Sequence, residues 1–276
     1  MKFKKFLSVV SVVAAIAIGV TACGSNNSTD EKKASAGDDK TIVVGATANP
    51  HAEILEEAVK PILEKDGYKL QVKVFNDYVL PNAALDEGSL DANFFQHIPY
   101  LEESVQAKGY KIEPTVKVHL EPMGLYSDKV KKVDEIKDGA VIAIPNDPTN
   151  GSRALKLLEK AGLIKVKDAA IITNKDITEN KKNIEVKQMN AEQLPTILKD
   201  VDAAVINSNY AMQAKLNPVN DSIVIEDKDS PYANVIAVRT SDKDSEKIKE
   251  LNKAMTDPSV KKFIEEQYKG AIIPAF

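Results

Sequence analysis

The sequence predicts an α/β fold, and three features carry that expectation. Short apolar runs such as Val141 to Ile144 and Ala203 to Ile206 have the length and composition of strands buried in a parallel sheet. Stretches of helical periodicity alternate with them, as βαβ units require. Several of these runs open onto clusters of turn-forming and amide residues, the position at which open α/β sheets bind ligands. About 235 residues carry this pattern, enough for one large domain or two small ones.

The chain starts with Lys2, Lys4 and Lys5, then a largely apolar run from Phe6 to Val20, the build of a secretory signal. That run is shorter than the ~20 residues of a membrane span. Val20-Thr21-Ala22-Cys23-Gly24 resembles a lipobox, in which the cysteine is lipidated and the chain is cut before it. Residues 1–22 are therefore expected to be a lipoprotein signal peptide. Cys23, the only cysteine, is the expected lipidation site, which leaves none for a disulfide, a metal or catalysis. The rest of residues 23–40 is small, polar and charged and reads as a flexible tether. The expected location is the extracytoplasmic face of a cell membrane, held by the lipid. Loss of residues 1–22 removes three lysines and no acids, taking the formal charge from −4 to −7. So acidic a chain argues against a nucleic-acid partner.

Thr41 to Ala46 reads as the first strand, followed by a helix from about His51 to Lys65. Leu70 to Phe75 alternates as a second strand and runs into Asn76-Asp77-Tyr78. A short helix around Asn82 to Glu87 stops at Gly88, and Leu90 to Phe94 gives a third strand. That strand opens onto Phe95-Gln96-His97, before a helix that starts at Ile98-Pro99-Tyr100 and stops at Gly109. Lys117 to Ser127 has the look of a segment crossing to a second set of elements. There, Val141 to Ile144 is a strand, Asn146 to Ser152 a polar loop, and a helix runs from Ser152 to a stop at Gly162. A helix is expected around Ala191 to Lys199, then strands at Ala203 to Ile206, Ser222 to Glu226 and Asn234 to Val238. The last of these returns the chain to the first sheet. Helices at about Asp244 to Thr256 and Ser259 to Lys269 close it.

Arg153 and Arg239 are the only arginines among 37 basic residues. Arg153 follows a strand–loop–helix turn whose free N–H groups favour an anion, and its planar fork can pair bidentately with a carboxylate. A surface or capping arginine is the alternative. Asn76-Asp77-Tyr78, Gln96-His97, Asn146 to Ser152 and Asn207-Ser208-Asn209 all follow strands. Two sheets facing each other would enclose a cleft with aromatic groups (Tyr78, Phe94 or Phe95, Tyr100), amides (Asn150, Asn207, Asn234) and one arginine. Such a cleft suits a small zwitterion with an apolar side chain.

Signatures of catalysis are missing from the sequence: no G-x-S-x-G elbow, no H-E-x-x-H pair and no phosphate-binding loop. No cofactor is implied. His51, His97 and His119 are the only histidines. His51 reads as part of a helix start, and His97 as part of the aromatic wall or as a loop histidine bonded to backbone. With Glu121 and Asp77 the three histidines keep open a receptor for zinc or manganese. Against that, the strand-end clusters favour amides, which are poor zinc ligands.

The stretches FNDYVLPN (75–82), LDANFFQHIPYL (90–101), EPMGLYS (121–127), IPNDPTNGSRAL (144–155), AAVINSNYA (203–211) and EDKDSPYANVIAVR (226–239) carry a resemblance. In this order they resemble the NlpA family of lipoproteins, methionine-binding receptors of ABC importers. The resemblance implies a two-lobed periplasmic-binding-protein fold, each lobe a mostly parallel sheet flanked by helices, with the ligand in the cleft between them. Residues 41–120 and 235–276 would form the first lobe and residues 121–234 the second. It also implies a thioether side chain held among Tyr78, Phe95, His97 and Tyr100, and a clamp for the amino-acid end from Arg153, Asn150, Asn207 and Asn234. Glu121 could bind the ligand's amino group or merely cross between the lobes, and the crossing is the expectation. L-methionine, D-methionine, Gly-Met or another small amino acid would be delivered to an ABC permease and ATPase, without chemistry, by a monomer. An amidase-like enzyme and a surface adhesin are the competing classes.

Overall fold

The computed structural model describes residues 40–276. The expectations for the signal peptide, for lipidation of Cys23 and for the tether up to residue 39 lie outside the described residues. In chain order the strands are β1 (Thr41–Thr47), β2 (Lys69–Phe75), β3 (Ala92–His97), β4 (Ile112–Leu120), β5 (Gly124–Tyr126), β6 (Val141–Pro145), β7 (Lys165–Val166), β8 (Ile177–Glu179), β9 (Glu185–Met189), β10 (Ala203–Ile206), β11 (Val224–Ile225), β12 (Ala233–Arg239) and β13 (Ile273–Pro274). The helices are α1 (Lys60–Lys65), α2 (Leu80–Asp86), α3 (Ile98–Lys108), α4 (Pro148–Lys160), α5 (Ser208–Gln213), α6 (Glu246–Met255) and α7 (Pro258–Tyr268). Helical turns at Ala48–Ala52 and Ile54–Val59 lead into α1.

The strands form two main sheets, and the fold is a two-lobed substrate-binding architecture. One sheet has the order β13-β4-β12-β3-β1-β2 and the other β11-β5-β10-β6-β9. Two short connections join the halves: residues 121–123 between β4 and β5, and residues 226–232 between β11 and β12. Strand β12 starts at Ala233, so Asn234 stands in the six-stranded sheet.

Each half buries its own core. In the first, Ile42 and Val44 of β1 and Ile236 and Val238 of β12 pack against Ile54, Leu55, Leu251 and Ile264. In the second, Ile142, Ile144 and Val205 pack against Ala154, Leu155 and Leu158 of α4, while Ala204 and Ile206 face Leu194, Leu198 and Tyr210. Alternate residues of one strand thus serve opposite faces, as the two-residue repeat of a strand demands. Each fully buried aliphatic side chain contributes roughly 2 kcal/mol to this packing.

Four sequence expectations change. The sheets are mixed rather than mostly parallel: β1 pairs in parallel with β2 and β3, but β12 runs antiparallel to β3 and β4. Likewise β10 is parallel to β6 and antiparallel to β5. The third strand extends through His97, which also caps α3 by accepting from Tyr100 N–H. Helix α4 begins at Pro148, not Ser152, because Asp147 accepts from Asn150 N–H as N-cap and Pro148 suits the first helical position. Residues 191–199 make only the short turn Ala191–Gln193 at their start instead of a full helix. Pro195, with no N–H to give, interrupts a continuing ladder there.

Candidate ligand-binding site

A narrow cavity lies between the two sheets, lined by Tyr78, Phe95, Gln96, His97, Tyr100, Glu121, Asn150, Arg153, Asn207, Ser208 and Asn234. All eight residues singled out for the cleft are in this lining. The alternation of β3 decides between its two phenylalanines. Phe95 lines the cavity, while Phe94 points to the core and packs edge-on against His51 and His119.

Aromatic rings build one wall. Tyr78, Phe95 and Tyr100 stand at mutual centroid distances of 5.9 Å, and Tyr210 lies 5.0 Å from Tyr78. Each tyrosine hydroxyl has a fixed acceptor. Tyr100 donates to the Tyr78 carbonyl at 2.9 Å, and Tyr78 donates to Asn209 Oδ1 at 2.6 Å, which ties one half to the other. Burial raises the pKa of both phenols, so they remain neutral donors.

His97 makes a second bridge between the halves. Its Nε2 donates to Asn150 Oδ1 at 3.1 Å and its Nδ1 accepts from Tyr100 N–H at 3.2 Å. Burial, with the charge of Arg153, pushes the imidazole pKa down to about 3. Asn150 in turn gives its Nδ2 to both oxygens of Asp147, at 3.1 Å each. Asn207 Nδ2 donates to Asn150 Oδ1 at 2.9 Å, and Asn207 Oδ1 is buried without a hydrogen-bond partner among the described residues. Gly151, next to Asn150, lets α4 sit close to the end of β6: a Cβ there would be 3.0 Å from the Pro145 carbonyl oxygen.

Arg153 lines the cavity but is not free. Its Nε and Nη2 grip the Glu226 carboxylate at 2.8 and 2.5 Å, and Nη2 also donates to the Glu121 carbonyl at 2.7 Å. Tyr232 lies under the guanidinium at 4.3 Å. Nη1 is the guanidinium nitrogen left without a hydrogen bond among the described residues. Burial opposes the charge, yet Glu226 more than restores it.

The sequence reading placed Gln96 and Ser208 in strand-end clusters without singling them out and set Glu121 aside as a crossing residue, yet all three line the cavity; it missed Glu226 behind it. A buried arginine needs a carboxylate partner, so Arg153 was a signal to look for one. Glu121 is only 7% exposed. Its Oε1 accepts from His119 Nε2 at 2.7 Å and lies 3.0 Å from His51 Nε2, and Oε2 accepts from Asn209 N–H at 3.2 Å. Burial works against this carboxylate, but the two histidines hold its pKa well below the usual range.

Among the described residues, His51, His119 and Glu121 are also the group whose ligand atoms come close enough to share a metal ion. The other members of the anticipated metal set are elsewhere: His97 bonds to Asn150, and Asp77 accepts from Val79 and Leu80 N–H. The trio fits a metal poorly. A metal-bound imidazole ordinarily donates its second N–H to an acceptor, and buried His119 Nδ1 has none among the described residues. As a hydrogen-bonded group the same atom is merely an unused acceptor.

The model of the NlpA lipoprotein family matches residues 42–276. A methionine-binding lipoprotein MetQ of Bacillus subtilis is 45% identical over 262 residues, covering 92% of this chain and 93% of that protein. A D-methionine-binding lipoprotein MetQ of Salmonella typhi is 41% identical over 276 residues, covering 99% and 98%. Among solved structures, a nutrient-binding protein of Burkholderia cenocepacia bound to methionine superposes with a TM-score of 0.83. It is 48% identical, with 85% of this chain and 100% of that one covered. The chain belongs to the NlpA lipoprotein family.

Proposed function

We propose that this protein is a lipid-anchored, extracytoplasmic receptor that captures methionine and hands it unaltered to an ABC permease and its ATPase. The observation that carries the reading is the composition of the buried cavity. An aromatic wall of Tyr78, Phe95 and Tyr100 faces amides and a guanidinium from the other half. A thioether packs well against ring edges, and a zwitterion needs donors and acceptors held at fixed places. Relatives of 41 to 45% identity carry methionine in their names, and a structure with a TM-score of 0.83 holds it.

In this reading Tyr78, Phe95, His97 and Tyr100 hold the side chain. Arg153 Nη1 offers a donor to the ligand carboxylate, and Asn150, Asn207 and Asn234 complete the polar end. The lobes divide within the connections at residues 121–123 and 226–232, and Cys23 carries the lipid. Capture without chemistry agrees with how the cavity's reactive groups are used. Ser208 Oγ donates to the Pro122 carbonyl, and His97 has both ring nitrogens engaged, so neither forms a nucleophile–base pair.

Thermal unfolding of the soluble chain from residue 24 onward, unfolded and refolded to strip carried ligand, tests the function. A ligand at 100 times its Kd adds about 2.7 kcal/mol of stability. L-methionine, D-methionine or Gly-Met should raise the Tm clearly, and L-glutamine and Zn²⁺ should not. A rise with zinc or glutamine alone would reject the methionine reading.

A further inference from the structure

Tyr78 belongs to the first half by sequence and to the second by contact. It follows β2 on a segment whose flanks are open to solvent: Val74 is 55% exposed, Val79 71% and Leu80 54%. A ring on so open a segment takes its support from elsewhere. Phe95 and Tyr100 of its own half stand 5.9 Å away, while Tyr210 of α5 comes closer, at 5.0 Å. Tyr78 also packs against the buried cluster of the second half that includes Leu194, Ile206 and Tyr210. Two hydroxyls fasten this contact in opposite senses. Tyr78 donates to Asn209 Oδ1 at 2.6 Å, and buried Tyr210 donates back to the Asn76 carbonyl at 3.2 Å. Helix α5 has a firm base for the task, with Ser208 Oγ on the Pro122 carbonyl and the Asn209 N–H on Glu121. Neither Asn209 nor Tyr210 is part of the cavity lining.

We infer that Asn209 and Tyr210 are positioning residues for Tyr78, so that the wall facing the ligand's side chain is complete only when the two halves meet. The inference rests on the receptor reading above. Both hydroxyl bonds belong to the joined state, because with the halves apart the same four groups bond to water instead. Their contribution therefore enters the ligand's affinity through the population of the joined state. A ligand whose side chain reaches Tyr78 gains from the support, and one whose side chain stops short does not. Loss of the support shows as faster release rather than slower capture, since bonds made after encounter act on the dissociation rate.

The test is a double-mutant cycle of Asn209→Ala and Tyr78→Phe, read by stopped-flow release of L-methionine. Tyrosine fluorescence supplies the signal, the chain having eight tyrosines and no tryptophan. Each single variant should release methionine about fivefold faster, with capture changed less than about twofold, and the double variant no faster than either. Release about 25-fold faster in the double variant, the product of independent effects, overturns the inference, as does unchanged release in Asn209→Ala. The advantage of L-methionine over L-2-aminobutyrate, measured by displacement, should also shrink by about fivefold in Asn209→Ala. An unchanged advantage overturns the inference, because the support would then act on every ligand alike. Tyr210→Phe covers the case in which Asn209→Ala fails to fold: it keeps the ring, drops the donor and should speed release by about threefold. Unchanged release in that variant overturns the inference too. Absence of methionine binding by wild type overturns the receptor reading instead.

Discussion

At His97, Nδ1 accepts the Tyr100 N–H and Nε2 donates to Asn150 Oδ1, so both bonds need a neutral ring with its proton on Nε2. Burial in that state sets a pH dependence. The folded pKa is about 3, against about 6.5 for the unfolded chain, so between these values only the unfolded chain holds the proton. The contribution to stability is complete above about pH 6.5 and drains away as the pH falls towards 3, by at most about 1.4 kcal/mol per unit. Burial lowers the pKa of His119 too, which adds a fall of the same sign. Urea unfolding between pH 7 and pH 5 should show a shallower loss in His97→Gln than in wild type; an unchanged slope would contradict the neutral, buried ring. The sequence marked His97 by its place between Phe95 and Tyr100. It held no local sign that Asn150, 53 residues away, would be the partner.

Helix α4 brings Asn150 and Arg153 to the cavity, and its start depends on Asp147. One Asp147 oxygen accepts from Asn150 N–H at 2.9 Å and from Thr149 Oγ1 at 3.1 Å. Asp147→Ala should cost about 1–2 kcal/mol as a lost N-cap and free the Asn150 side chain to turn. Denaturant midpoints check the first effect, and a weaker methionine Kd checks the second; no change in either would place the helix start elsewhere. Caps and stops of this kind were largely legible, as at Gly109 and Gly162, both at positive φ as helix ends require. The apolar runs also marked β6, β10 and β12 correctly. Strand direction was not legible, because an isolated strand looks the same whichever way its neighbour runs. The antiparallel places of β5 and β12 come from long-range connections, not from local pattern.

Across the whole molecule, Arg153 connects the cavity to both segments that join the halves. Its guanidinium holds the Glu121 carbonyl in one connection and the Glu226 carboxylate in the other. The two connections also pair directly, through Glu226 N–H to the Met123 carbonyl at 2.9 Å. A ligand carboxylate on Nη1 would therefore bear on the place where the halves articulate. The cleft lining was legible in outline because polar clusters at strand ends converge in this architecture, although the choice between Phe94 and Phe95 was open until the resemblance was used. Glu226 was not, and Glu121 was weighed but set aside, since each sits in a connection whose path only the folded chain defines. The most direct measurement is calorimetric titration of L-methionine into the refolded, ligand-stripped protein, beside Asn207→Ala. The expected result is one site per chain, with binding weakened by about 10- to 100-fold in the variant. No heat from any methionine form, or an identical Kd in Asn207→Ala, would contradict a methionine receptor built on this cavity.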